Sequence, residues 1–155
     1  PRFRFHRDAR RAPKRRAGPA DEEAAMAKTA SEMVADAKQR IENLSVDQVA
    51  REREQGDPLL VDIREPEERA RLGVIPGAVL APRGMLEFWA DPTSSYHRPE
   101  FDANRRIILY CAGGGRSALA ADTMQQMGYR GVAHLEGGFN AWNDAGQPVA
   151  AEPAS

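Results

Sequence analysis

The stretch Ile107-Ile108-Leu109-Tyr110-Cys111-Ala112-Gly113-Gly114-Gly115-Arg116-Ser117 decides the reading of this chain. Four apolar residues in a row fit a strand buried on both faces, as in a parallel sheet. The residues after Arg116, from Ser117 to Met124, read as a helix that Gly128 stops. The chain's one cysteine therefore stands where strand passes into helix. The glycines behind it let successive backbone N–H groups turn inward on one point. A ring of amides at a helix N-terminus binds anions and lowers a thiol's pKa from about 8.5 toward neutrality. A buried structural thiol is the competing reading of a lone cysteine, but a core cysteine needs neither three glycines nor an arginine beside it.

Outward from this loop, strands alternate with helices. Pro58 to Ile63 is a strand, and Glu65-Pro66-Glu67-Glu68 opens a short helix with Pro66 in its first turn and a solvated carboxylate pair. Gly73 to Leu80 is a turn followed by a short strand, and Gly84–Ala90 a short helix in the irregular stretch 83–105. Val132 to Leu135 is a further strand, and Gly137-Gly138 turns into a closing helix over Phe139–Ala145. Met33, Ala37, Ile41 and Leu44 recur at helical spacing, which predicts an N-terminal helix over 26–44. Ser45-Val46-Asp47-Gln48 is a capping box for the next helix, ending near Gly56. The pattern predicts an α/β domain with a mainly parallel central sheet and helices on both faces.

At 155 residues, 41% apolar and 29% charged, the chain suits one ordinary domain, and no apolar run approaches a membrane span. One cysteine leaves no internal disulfide and no multi-cysteine zinc site, and fits a reducing compartment; the expected location is cytoplasmic. The net charge of −1 hides an asymmetry: residues 1–20 hold eight basic side chains against Asp8 alone. A targeting or nucleic-acid arm would have that charge. Without apolar periodicity, residues 1–25 are expected to be a disordered basic leader ahead of Met26, with no nucleic-acid or membrane partner. The Ala/Pro-rich tail from Pro148, and 150–155 in particular, is expected to fray.

Four segments in this order resemble the single-domain rhodanese family of thiosulfate-type sulfurtransferases. They are Val61-Asp62-Ile63-Arg64-Glu65-Pro66-Glu67-Glu68, Gly73-Val74-Ile75-Pro76-Gly77-Ala78, the loop Cys111 to Ser117, and Leu135-Glu136-Gly137-Gly138-Phe139 with Trp142. The resemblance covers a domain over 45–149. The family often carries His where Val74 stands, a departure without catalytic weight. Residues Arg83 to Pro92 look like those of a small bacterial subgroup.

The resemblance implies that Cys111 attacks the outer sulfur of a small anionic donor such as thiosulfate. A persulfide forms, and cyanide or a thiol, a protein thiol included, then removes the sulfur. It implies that the amides of Ala112, Gly113, Gly114, Gly115, Arg116 and Ser117 hold the persulfide charge, and that Arg116 offers paired donors to an oxyanion. Arg83 would attract the donor, Phe88 and Trp89 would shield the persulfide or serve as core, and no cofactor is implied. Asp62 and Arg64, after a buried strand, would support the loop through Arg116 or loop amides; an ordinary surface ion pair is the plainer reading of Arg64. No metal is expected, since His97 and His134 match no ligand spacing with Cys111. His134 reads as a satisfied core residue and His97 as an exposed one.

Two alternatives remain. A non-catalytic persulfide carrier or sulfane-sulfur sensor for a protein partner needs the same reactive cysteine. Phosphatase or arsenate reductase chemistry is disfavoured by the spacing Cys-x4-Arg, because a phosphoryl group's three oxygens need the wider ring of Cys-x5-Arg, and by the lack of a second cysteine.

Overall fold

In the computed structural model, residues 27–153 and the isolated Pro13 are described. The basic leader expected over 1–25 otherwise lies outside them. The elements are α1 (Ala30–Arg40), β1 (Glu42–Leu44), α2 (Val46–Gln55), β2 (Leu59–Asp62), α3 (Pro66–Leu72) and β3 (Val79–Leu80). A 3-10 turn (Arg83–Met85) and α4 (Leu86–Ala90) follow, then β4 (Ile107–Tyr110), α5 (Gly115–Gln126), β5 (Val132–Leu135) and α6 (Gly138–Asp144). The strands form one sheet in the order β1-β5-β4-β2-β3, and every pairing is parallel. No helix among the described residues is long and apolar enough to cross a membrane.

Each strand alternates its side chains between two cores. Val61, Ile107, Leu109 and Val132 point to the face covered by α1, α4 and α5, which add Ala37, Leu86, Ala118, Ala121 and Met124. Leu60, Ile108, Tyr110, Ala133 and Leu135 point the other way, onto Val49 of α2 and Phe139 and Trp142 of α6. The run Ile107–Tyr110 is buried at all four positions because both faces are covered. This is the expected α/β architecture with helices on both faces.

Local chemistry sets the helix starts. Ser45 and Gln48 close a capping box on α2. A second one forms on α3, where Glu68 Oε2 accepts the Glu65 N–H at 2.8 Å, beyond the Pro66 and first-turn carboxylate signals of the sequence.

Two expectations are corrected. The N-terminal helix stops at Arg40, and Glu42–Leu44 is a strand that pairs with Ala133–Leu135. Leu44 fits the helical stripe by spacing alone, yet parallel pairing with a buried partner strand outweighs local period. The tail from Pro148 is not frayed as far as Glu152. Trp142 Nε1 donates to the Pro148 carbonyl at 2.8 Å, Ala150 pairs with Val74, and Arg69 Nε donates to Glu152 at 3.0 Å.

The Tyr110 hydroxyl, wholly buried, accepts the Ile75 backbone N–H at 3.1 Å. Tyr110→Phe strands that buried donor, so it is expected to cost about 1–3 kcal/mol, read as a lower urea midpoint at unchanged slope.

Candidate active site

Cys111 follows β4, the central strand, at the carboxyl edge where open α/β sheets gather ligands. It is 1% exposed, so its sulfur lies at the floor of the loop. Of the six expected amides, those of Gly114 and Ser117 reach the sulfur, donating at 3.1 and 3.4 Å. The Ser117 hydroxyl lies 3.4 Å from it. Gly114 allows this closure at φ +104, a left-handed conformation that side chains resist, and it is the N-cap of α5. Ala112, Gly113, Gly115 and Arg116 complete the loop without bonding to the sulfur in this state.

The loop is held from behind by α6. Phe139 N–H donates to the Cys111 carbonyl at 2.8 Å and Asn140 N–H to the Ala112 carbonyl at 3.0 Å. Gly138 stands so close that a Cβ there would come within 2.5 Å of the Cys111 carbonyl oxygen and 2.6 Å of the Ala112 one. Gly137-Gly138 is thus more than a turn: it brings two helix N-terminal donors onto two loop carbonyls.

Charges are arranged differently from expectation. Arg116 gives both terminal nitrogens to Glu68, at 2.8 Å each. Glu68 is therefore no solvated member of the Glu67 pair. Arg116 holds its carboxyl down to about 2, with the Glu65 backbone assisting against burial. The Glu68 hydrogen bonds in turn hold the Arg116 guanidinium above its ordinary pKa, with the nearby Cys111 a lesser contributor. Asp62 and Arg64 do not pair with Arg116 or with a loop amide. They pair with each other at 2.7 Å, both fully buried, which also removes the surface-pair reading of Arg64. Arg64 further donates to the Gly73 carbonyl at 2.7 Å. Its guanidinium carbon lies 4.1 Å from the Phe139 ring centre, so it reaches the loop only through α6.

Arg83 is not brought into hydrogen-bond contact with the loop; its ionic partner is Glu87, one turn along its own segment. Phe88 is about half exposed, edge-on to Tyr96. Trp89 packs on the core beneath the Arg98 guanidinium, 3.5 Å from its ring centre. His97 is not free in solvent: its Nδ1 lies 2.9 Å from the Trp89 carbonyl. His134 is wholly buried, with Nδ1 2.9 Å from Ser117 Oγ and Nε2 2.8 Å from Asn43 Oδ1.

Sequence reasoning missed Glu68, Asn43 and the His134 contact. Glu68 had a signal: it follows β2, whose end is level with that of β4, so its helix rises beside the only loop arginine. Asn43 had none, because its strand was not recognised.

The profile of the rhodanese-like domain family matches residues 45–145. A sulfurtransferase of Allochromatium vinosum is 37% identical over 95 residues, 61% of this chain and 80% of that one. A solved protein of unknown function from Rhodopseudomonas palustris, described as a possible tyrosine phosphatase, is 46% identical. It superposes with a TM-score of 0.77, over 81% of this chain and 96% of that one. A rhodanese-like domain protein from Staphylococcus aureus is 28% identical with a TM-score of 0.58, covering 72% of this chain and 100% of that one.

Glu68 carries a carboxyl pKa of about 2 in place of the ordinary 4.5, so its contribution to stability is complete above about pH 4.5 and fades as pH falls toward 2. Glu68→Gln is expected to lower stability at neutral pH by about 1 kcal/mol, a figure reduced for the half-open setting of Arg116. It should also flatten the acid-side decline seen in urea unfolding across that window.

Proposed function

The chain belongs to the rhodanese-like domain family, and on that premise we propose that it is a sulfurtransferase working through a Cys111 persulfide. The observation that carries this is the closure of the Gly114 and Ser117 amides on the sulfur of a loop with Cys-x4-Arg spacing. The relative in Allochromatium vinosum, named a sulfurtransferase, supports the same chemistry.

The thiolate attacks the outer sulfur of thiosulfate. A Cys111 S–S bond forms as the donor's S–S bond breaks, and sulfite leaves with the electron pair. The terminal persulfide sulfur is anionic, and the N–H groups of the first turn of α5 that no carbonyl claims are the donors expected to receive it. Cyanide or a thiol then attacks that sulfur and frees the Cys111 thiolate, a ping-pong sequence. Arg116, neutralised in part by Glu68, serves as a rigid edge of the bowl with a residual share of positive charge.

The description of the Rhodopseudomonas palustris protein favours a second reading, phosphate-ester hydrolysis. Four residues between Cys111 and Arg116 speak against it, since three phosphoryl oxygens need more inward amides than this loop turns toward one point.

Incubation with thiosulfate is expected to add one sulfur atom to the intact mass, removed by cyanide as thiocyanate. Cys111→Ser should lose both, with turnover down by about a thousandfold or more. A stable gain without turnover would support a carrier for a protein thiol instead. No gain, with hydrolysis of an aryl phosphate, would replace the proposal by the phosphatase reading.

A further inference from the structure

His134 lies on β5, level with Asn43 of β1 and with Leu109 of β4. Asn43 Nδ2 donates to the Lys38 carbonyl at 2.8 Å and to the Ile41 carbonyl at 3.3 Å. Those two acceptors fix the amide with Oδ1 toward His134 Nε2, 2.8 Å away. An amide oxygen only accepts, so Nε2 carries the ring proton and Nδ1 is left as an acceptor. Ser117 Oγ, 2.9 Å from Nδ1, therefore donates to it. The lone pairs of the same oxygen receive the Cys111 thiol at 3.4 Å. Every donor points one way, from sulfur to imidazole, and Ser117 and His134 are fully buried, Cys111 nearly so.

We propose that His134 is the base that takes up the Cys111 proton through the Ser117 hydroxyl. The S–H proton passes to Ser117 Oγ as the Ser117 proton passes to His134 Nδ1, and nothing is oxidised or reduced. The hydroxyl then donates to the thiolate, beside the amides of Gly114 and Ser117, and the new N–H donates to the hydroxyl. His134 touches no reacting atom; it is a positioning residue acting through Ser117.

The charges around the ring suit this role. Glu136 Oε2 lies 3.3 Å from Nε2 and stabilises the imidazolium, while Lys38, paired with Glu136, opposes it. Burial holds the ring's pKa below its ordinary value and so opposes the imidazolium, with Glu136 pulling the other way. The ring also packs under the loop, its Cε1 3.7 Å from where a Gly114 Cβ would stand. Lys38 and Asn43 lie before residue 45, so a segment outside the family match completes the relay.

The inference rests on reading Cys111 as the nucleophile, and the chain's single cysteine makes the test specific. Alkylation by iodoacetamide, followed by intact mass across pH, reads the thiol without requiring sulfur transfer. Wild-type protein should react with a plateau near neutrality. His134→Gln should be about tenfold slower there, yet approach the wild-type rate near pH 10, where hydroxide removes the thiol proton without help. Ser117→Ala, which keeps the ring and its Asn43 partner, should lose the same neutral plateau and covers the case in which His134→Gln fails to fold. A rate ratio between wild type and these variants that stays constant with pH would make the ring structural and overturn the relay. A wild-type thiol unreactive at every pH would overturn the nucleophile reading itself, and the persulfide mass assay, which does not depend on the relay, separates the two failures.

Discussion

The approach of Gly138 to the carbonyls of Cys111 and Ala112 is the constraint on which the rest of the site depends. A loop that turns its N–H groups inward must turn carbonyls outward, and buried carbonyls need donors. The first turn of α6 supplies two, from Phe139 and Asn140. They reach only because the residue before them has no side chain: a Cβ on Gly138 would sit 2.5 Å from a carbonyl oxygen. The helix that covers one sheet face is thereby also the clamp of the loop that leaves the central strand. Its φ of +62 restricts the position a second time, since side-chain-bearing residues resist left-handed backbone.

A second layer of support comes from the buried pair Asp62–Arg64. Taking two charges out of water costs several kcal/mol per ion before their attraction and hydrogen bonds offset it. Here the return is geometric. Arg64 joins the end of β2 to the Gly73 carbonyl and covers the face of Phe139, the residue whose N–H holds Cys111. Its Nη1 has no partner at all, so the placement is not optimised for stability alone. Arg69, reaching both the Arg64 carbonyl and Glu152, extends the same network to the chain's last described residues. The tail from Val149 to Glu152 is ordered because it completes this network, even though its own composition offers little to bury.

What was legible in the sequence was local. The run Ile107–Tyr110, the glycines after Cys111 and the capping box at Ser45 each state their conformation within a few residues, and each stands where the pattern put it. What was illegible is pairing across the chain. Glu42–Leu44 has two exposed positions and one buried one, too little for a period to show, and becomes a strand only because β5 lies beside it. Arg116 and Glu68 are 48 positions apart, and only the level ends of β2 and β4, a pairing across the chain, bring them together. Arg83 was placed by resemblance on the segment bordering the pocket, and the ion pair it makes there with Glu87, four positions on, is local.

Strand β1 shapes the nucleophile's surroundings as well as the sheet edge. In a parallel sheet, residues level with each other on adjacent strands point to the same face. Asn43 must therefore face the way His134 faces, toward α5 and Ser117, once Glu42–Leu44 is a strand. Were that segment helical, as its spacing suggests, only the half-exposed Glu136 carboxylate, 3.3 Å away, would stand opposite Nε2. The edge strand thus does more than extend the sheet: it decides which nitrogen of a buried imidazole is free to accept a proton. With the Cys111 and Ala112 carbonyls committed to α6 and Arg116 to Glu68, that nitrogen is the one basic lone pair two hydrogen bonds from the sulfur among the described residues.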